Sequence, residues 1–340
     1  MALLYGVDAP SDASKRLCQI LVDATKLPWH GDACAAQPHA LLPQTRRHSL
    51  LAKLLRVPSI VFAVNKLDAV ADAPRAFANI RHAVSLFAAQ AEIPVAGIVP
   101  VSALHGNNVV SADRGWCGYR GPGLLELLEQ LPSTSTETTT APAFPVQWVE
   151  KLPDDAAAGN GRRVFWGRVA TGQLAPGQRV TVMPGGRTAT VTQVLDHVRR
   201  PATVLAGRSA GVVLDREVDI SRGDWLLAQD DTNAPFAARR DVVATVAWLD
   251  DEPLQAGRTY WAVHGHRWVK ARVTRIGHQL DVHTLQRHAT PQLGSNAIGE
   301  VELALQAPIA VLPYGVSRAL GALVLVDTAT HKTAGAALLH

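Results

Sequence analysis

Ile60-Val61-Phe62-Ala63-Val64-Asn65-Lys66-Leu67-Asp68 is an unbroken apolar run that stops at a short polar turn. A continuous run, rather than an alternating one, marks a strand buried on both faces of a parallel sheet. Two further runs share that form. Ile20-Leu21-Val22 ends at Asp23, and Ile98-Val99-Pro100-Val101 ends at Ser102. Helical patterns lie between and after them. Gln44 to Leu55 is one, and Asp72 to Ala91 is another, with Phe77, Ile80, Val84 and Phe87 three and four apart. Pro122 to Leu131 reads as a closing helix, with proline where a helix start tolerates it. Strand and helix alternate, so residues 1–131 form a β/α unit with crossover helices.

The chain changes character after that. Pro132 to Pro142 is polar, rich in Ser and Thr and bracketed by prolines, which reads as a linker over 132–143. Beyond it, short Val-, Thr- and Arg-rich runs are punctuated by Pro176-Gly177, Pro184-Gly185-Gly186, Gly207 and Arg222-Gly223-Asp224. That is the pattern of a small antiparallel β-barrel over 144–236. A second all-β block covers 241–340, with runs at Asp241–Trp248, Thr259–His264, Trp268–Ile276, Gly299–Leu305 and Ala322–Val326 and a joint at Asn233–Arg240.

The turn after Val64 carries chemistry. In an N-K-x-D turn the Asp68 carboxylate can accept from the guanine N1–H and the exocyclic amino group. Adenine offers no such pair. Asn65 would read the ring edge and brace a neighbouring loop, and the Lys66 stem would cover one face of the base. A site built on such hydrogen bonds rejects the wrong base by leaving its groups unpaired. Asn and Asp are also common at plain strand-end turns. Ser102-Ala103-Leu104 follows the next strand and adds position to the argument, because ligands of open α/β sheets bind at the carboxyl ends of the strands. Together the two turns select guanine.

Other signals are absent. No G-x-x-x-x-G-K-[ST] phosphate cradle occurs, and no D-x-x-G. The 13 histidines include no H-E-x-x-H, and His264-Gly265-His266, His278, His283 and His288 read as surface or core residues. Cys18, Cys34 and Cys117 form no C-x-x-C pair, so neither a disulfide framework nor a zinc site is expected. Cys117 beside Trp116 reads as a small buried residue. The Arg/Trp-rich segments Arg162–Arg168 and Arg258–Arg275 read as alternating barrel faces. The net charge is +4, without a basic block, so a nucleic-acid partner is not expected. With 47% hydrophobic residues and no apolar run of spanning length, neither a disordered nor a membrane protein is expected, and the location expected is the cytoplasm. The 340 residues suit two or three domains at roughly 150 residues each.

A guanine-reading α/β domain followed by a linker and two barrels resembles the translation elongation-factor class of GTPases. Narrower stretches resemble the large, GTP-hydrolysing subunit of bacterial sulfate adenylyltransferase. They are Gln44-Thr45-Arg46-Arg47-His48-Ser49, Val101 to Val109, Trp116, Tyr119, Gly121-Pro122, Phe144 to Gln147, Asp219 to Asp224, Arg272-Val273 and Gln279 to Val282. The resemblance implies a GTPase that couples GTP hydrolysis to the synthesis of adenylyl sulfate from ATP and sulfate, in sulfate assimilation toward cysteine biosynthesis. It implies a heterodimer with a small catalytic subunit that takes the ATP. It implies guanine contacts from Asn65, Lys66, Asp68, Ser102, Ala103 and Leu104. Against the family pattern, residues 1 to about 12 do not match, Leu27 to Leu42 is expanded, and the phosphate loop, the switches and the magnesium ligands are missing. The expectation is therefore an amino-terminally truncated member with a partial P-loop GTPase domain, no catalytic or metal residues of its own and weakened GTP binding. Alternatives are a non-hydrolysing scaffold that docks the small subunit, and a divergent translation-factor-type relative. The missing leading strands are expected to leave the edge of the Ile20–Val22 strand bare, and residues 1–131 less stable than the barrels.

Overall fold

Residues 2–8, 14–26, 41–132, 137, 139–151, 163–229 and 236–340 are described by a computed structural model. The chain divides into two compact units, Met1–Ser135 with Val282–Gln286, and Thr136–Asp281 with Arg287–His340.

The first unit is built on a four-stranded sheet in the order β1-β2-β3-β4, with β1 Ala2–Asp8, β2 Ser14–Asp23, β3 Ser59–Asn65 and β4 Val95–Pro100. Strands β2, β3 and β4 are parallel, as the continuous apolar runs require. Ile60 to Val64 are wholly buried, and Phe62 sits at the centre. Strand β4 departs from the expectation of burial on both faces. It is the sheet's outer strand, and Ile98 is only half-buried. The edge of β2 is not bare either. Strand β1 runs antiparallel along it, pairing Ala2 with Ile20 and Asp8 with Ser14.

Among the described residues three helices accompany the sheet: α1 Pro43–Leu54, α2 Ala73–Gln90 and α3 Leu124–Gln130. Asp72 caps α2, its carboxylate accepting the Arg75 N–H at 3.1 Å. The α2 residues at three- and four-residue spacing, Phe77, Ile80, Val84 and Phe87, are all buried. Arg46 in α1 lies over the Phe87 ring, 4.9 Å from its centre, which ties the Gln44–Ser49 stretch to α2. Helix α3 starts at Leu124, so Pro122 lies before its first turn rather than in it. Leu124 packs with Val61, Ala63, Val99 and Val101.

The second unit holds two closed barrels. The first comprises β5 Ala143–Lys151, β6 Arg163–Arg168, β8 Arg179–Met183, β9 Arg187–Leu195, β11 Ser209–Leu214 and β12 Trp225–Ala228, beside a ribbon of β7 Gln173–Leu174 and β10 Val204–Leu205. Phe144, Val146, Phe165, Val180 and Leu226 fill it. The second comprises β13 Ala237–Trp248, β15 Thr259–His264, β16 Arg267–Leu280, β19 Ile298–Val311, β20 Ala322–Asp327 and β21 Thr333–Leu339. A β15–β16 pairing closes it, with short additions at β14 Leu254–Gln255, β17 Arg287–His288 and β18 Gln292–Leu293. Trp248, Tyr260, Val301 and Leu325 lie in its core.

Two sequence expectations shift here. Residues 237–240 are strand, not joint, because Ala237 to Arg239 pair with Ile309 to Val311. Strand β21 gave no sequence signal, since its small residues carry little β-propensity. Residues 133–136 and 138 of the expected linker and all of Leu27–His39 lie outside the described residues, as does Arg162.

Candidate functional site

Both sequence-predicted turns lie at the carboxyl ends of neighbouring parallel strands, β3 and β4. Lys66 takes a left-handed conformation at φ 66°, which turns the chain sharply at the end of β3. Leu67, the variable position of the motif, is wholly buried and anchors the turn. Lys66 and Asp68, on either side of it, are exposed. A buried apolar residue between two polar ones holds the carboxylate at the surface, open to a ligand.

Asn65 is half-buried, and its side-chain Oδ1 accepts the Ala103 N–H at 3.0 Å. That hydrogen bond brings the two turns together. The Ser102 turn is closed internally. Ser102 is wholly buried, its Oγ accepts the His105 N–H at 3.1 Å, and its carbonyl accepts the Gly106 N–H at 2.8 Å. Ala103 and Leu104 are therefore held out at the surface, and Leu104 is 80% exposed. The structure thus gathers Asn65, Lys66, Asp68, Ser102, Ala103 and Leu104 on two linked turns. Ser102 acts inside its turn, and the others line the surface.

Several supporting residues escape sequence reasoning. Asn108 is completely buried. It donates to the Pro100 carbonyl at 3.1 Å and accepts the Asp113 N–H at 2.7 Å, while its own carbonyl receives the Leu124 N–H. It fixes the Ser102 turn to β4 and to α3. Lys66 Nζ lies 2.8 Å from the Asp23 carboxylate, and Thr25 donates to that carboxylate from its N–H and its hydroxyl. Burial pushes the Asp23 carboxyl up, but the Lys66 and Thr25 hydrogen bonds outweigh it and leave the group below its ordinary range. Asp23 thereby positions the lysine that would cover the base. Cys117 is buried, and burial, with the charges of Asp113 and Asp68, pushes its thiol up to about 11. A thiol so raised carries little of the thiolate that nucleophilic chemistry needs. Among the described residues no group of three or more His, Cys, Asp and Glu could hold a metal ion.

Residues 20–137 match the family model described as elongation factor Tu GTP binding domain, and residues 241–340 match GTP-eEF1A C-terminal domain-like. Sulfate adenylyltransferase subunit 1 of Laribacter hongkongensis (strain HLHK9) is 37% identical over 297 residues, covering 87% of this chain and 60% of the relative. Over most of its length the chain is similar to sulfate adenylyltransferase subunit 1 sequences. Bifunctional enzyme CysN/CysC of Xylella fastidiosa (strain Temecula1 / ATCC 700964) is 36% identical over 320 residues, 94% of this chain and 48% of that protein. The chain thus spans about half to three fifths of the length of these relatives. A crystal structure of sup35 complexed with GDP covers 94% of the chain at 21% identity with a TM-score of 0.52, and it shares the fold. No helix among the described residues is long and apolar enough to cross a membrane.

Proposed function

We propose that this chain carries the guanine-reading and barrel portion of a sulfate adenylyltransferase GTPase subunit. In that reading the nucleotide state of the α/β unit drives formation of adenylyl sulfate from ATP and sulfate on a small catalytic subunit, which the chain joins as a heterodimer in the cytoplasm. The Asn65–Ala103 hydrogen bond carries the proposal, because it couples the two turns whose donors and acceptors fit guanine. Asp68 accepts from the base N1–H and amino group, the Ala103–Leu104 turn, braced by Asn65, presents the Leu104 backbone N–H to its carbonyl, and Lys66 lies over one face.

The chain has no phosphate cradle and no D-x-x-G, and its described residues offer no metal cluster. The described residues do not fit magnesium. Phosphate contacts supply much of the affinity for a nucleotide. Base contacts alone therefore give weak GTP binding and no hydrolysis, and the same missing motifs favour a second reading, a scaffold that docks the catalytic subunit without turning over GTP.

Co-expression with a small subunit from a sulfate adenylyltransferase tests the proposal. Co-elution without GTPase activity fits both readings, and a GTP-dependent gain in adenylyl sulfate synthesis selects the first. Failure to co-elute contradicts both. Micromolar GTP affinity with magnesium-dependent hydrolysis by this chain alone would contradict the weakened binding.

A further inference from the structure

The outer wall of the second barrel carries an apolar ladder that a solvated sheet face does not need. Alternation places Tyr260, Ala262, Val269, Ala271, Leu323 and Leu325 in the core. The residues between them therefore face out. Trp268 on β16 pairs with Val263 on β15, Val263 pairs with Val324 on β20, and Val324 pairs with Ala336 on β21. Four apolar side chains thus lie side by side across four strands. Trp268 is 51% exposed and Val324 is 40% exposed.

The next rungs are cationic. Lys270 pairs with Trp261 and Arg272 with Thr259, and both cations are exposed. Neither has a carboxylate partner among the described residues. The carboxylates around them are engaged elsewhere, Glu252 and Asp327 with Arg258, and Glu302 with Arg275. The patch is therefore apolar at one side and uncompensated positive at the other.

We infer that this wall docks a partner polypeptide segment that presents an apolar side chain beside carboxylates. Exposed tryptophan near an arginine with no carboxylate partner is the composition of an interface anchor. Charge complementarity selects acidic residues for the partner. The geometry disfavours nucleic acid. Lys270 already covers the face of Trp261, at 5.4 Å from the ring centre, and Trp268 meets that ring edge-on at 6.2 Å and 73°. No open pair of parallel ring faces is left on which bases could stack. The inference does not depend on which protein supplies the segment.

Fluorescein-labelled Asp-Glu-Leu-Phe-Glu-Asp, titrated with the full chain and read by anisotropy, tests it. Its Lys-Arg-Leu-Phe-Lys-Arg counterpart and oligo(dT) serve as competitors. Saturable binding of the acidic peptide is expected, weakened by salt. Trp268→Ala should weaken it at least tenfold. Lys270→Glu with Arg272→Glu should reverse the preference to the basic peptide. These side chains face solvent, so unchanged circular dichroism and melting temperature are expected of each variant. Absence of saturable binding, equal binding by the charge-reversed variant, or tighter binding of oligo(dT) would overturn the inference.

Discussion

Asn65 does two things that its position in the sequence could not separate. It stands where a base edge would lie, and it holds the Ser102 turn through the Ala103 N–H. Asn65→Ala should remove that hydrogen bond at a cost of about 1 kcal/mol. Hydrogen exchange at the Ala103 amide should speed up while the β3 amides keep their protection. The polar letters of both turns were legible because their chemistry is local. Asn108, and the pairing of Asp23 with Lys66, were not, since a buried amide and an ion pair 43 positions apart depend on how the strands are brought together. His264 is a second residue whose role emerged only in the folded chain. It is buried at the junction of the two barrels, stacked on Trp225 at 5.2 Å, with Nε2 3.2 Å from the Leu320 carbonyl. Burial, with the Arg267 charge nearby, lowers its pKa to about 4, against a carbonyl that favours the charged form. A lowered folded value means that the unfolded chain binds the extra proton between pH 6.5 and 4. Stability is therefore full above about 6.5 and is lost as pH falls toward 4, by on the order of 3 kcal/mol. Chemical denaturation of the wild type across that range should show the loss, and His264→Phe should flatten it.

At the scale of elements, the Ile220–Asp224 stretch finds its reason. Its backbone meets the second barrel at the turn between β15 and β16. Asp224 accepts from Arg267 Nη1 at 2.9 Å and from the Ser221 N–H at 3.0 Å, and both ion-pair partners are largely buried. Gly223, at φ +96°, lies so close that a Cβ would meet the His266 carbonyl oxygen at 3.0 Å. Asp224→Ala should strand a largely buried guanidinium and destabilise the barrel unit by about 2 kcal/mol, read as a lower denaturant midpoint. Unchanged stability would show that the joint rests on apolar contacts such as Trp225 against Leu320 and Ala310. The alternating strands and the amphipathic α2 were legible because each buries one face at a fixed period. Strand β21 was not, because Ala334, Gly335, Ala336 and Ala337 take a strand only where β13 and β20 supply the partners.

At the scale of the molecule, the two units face unfolding differently. Each barrel closes on itself and leaves no long open edge. The sheet of the first unit is open, and its outer strand β4 is only partly covered. Limited proteolysis should therefore cut the first unit before the barrels, and slowest hydrogen exchange should map to the barrel strands. Early loss of a barrel would contradict that order. The three-part architecture was readable from composition and turn residues. The pairing of β1 with β2 was not, because residues 2–8 follow no pattern that distinguishes an antiparallel edge strand from a loop. The central claim is that the paired turns read guanine, and backbone amide shifts on titration with GDP and with ADP at millimolar concentration test it directly. Selective, saturable GDP shifts at Ala103 and Leu104, abolished in Asp68→Ala, are predicted. Equal shifts with ADP, or shifts that persist in Asp68→Ala, would contradict it.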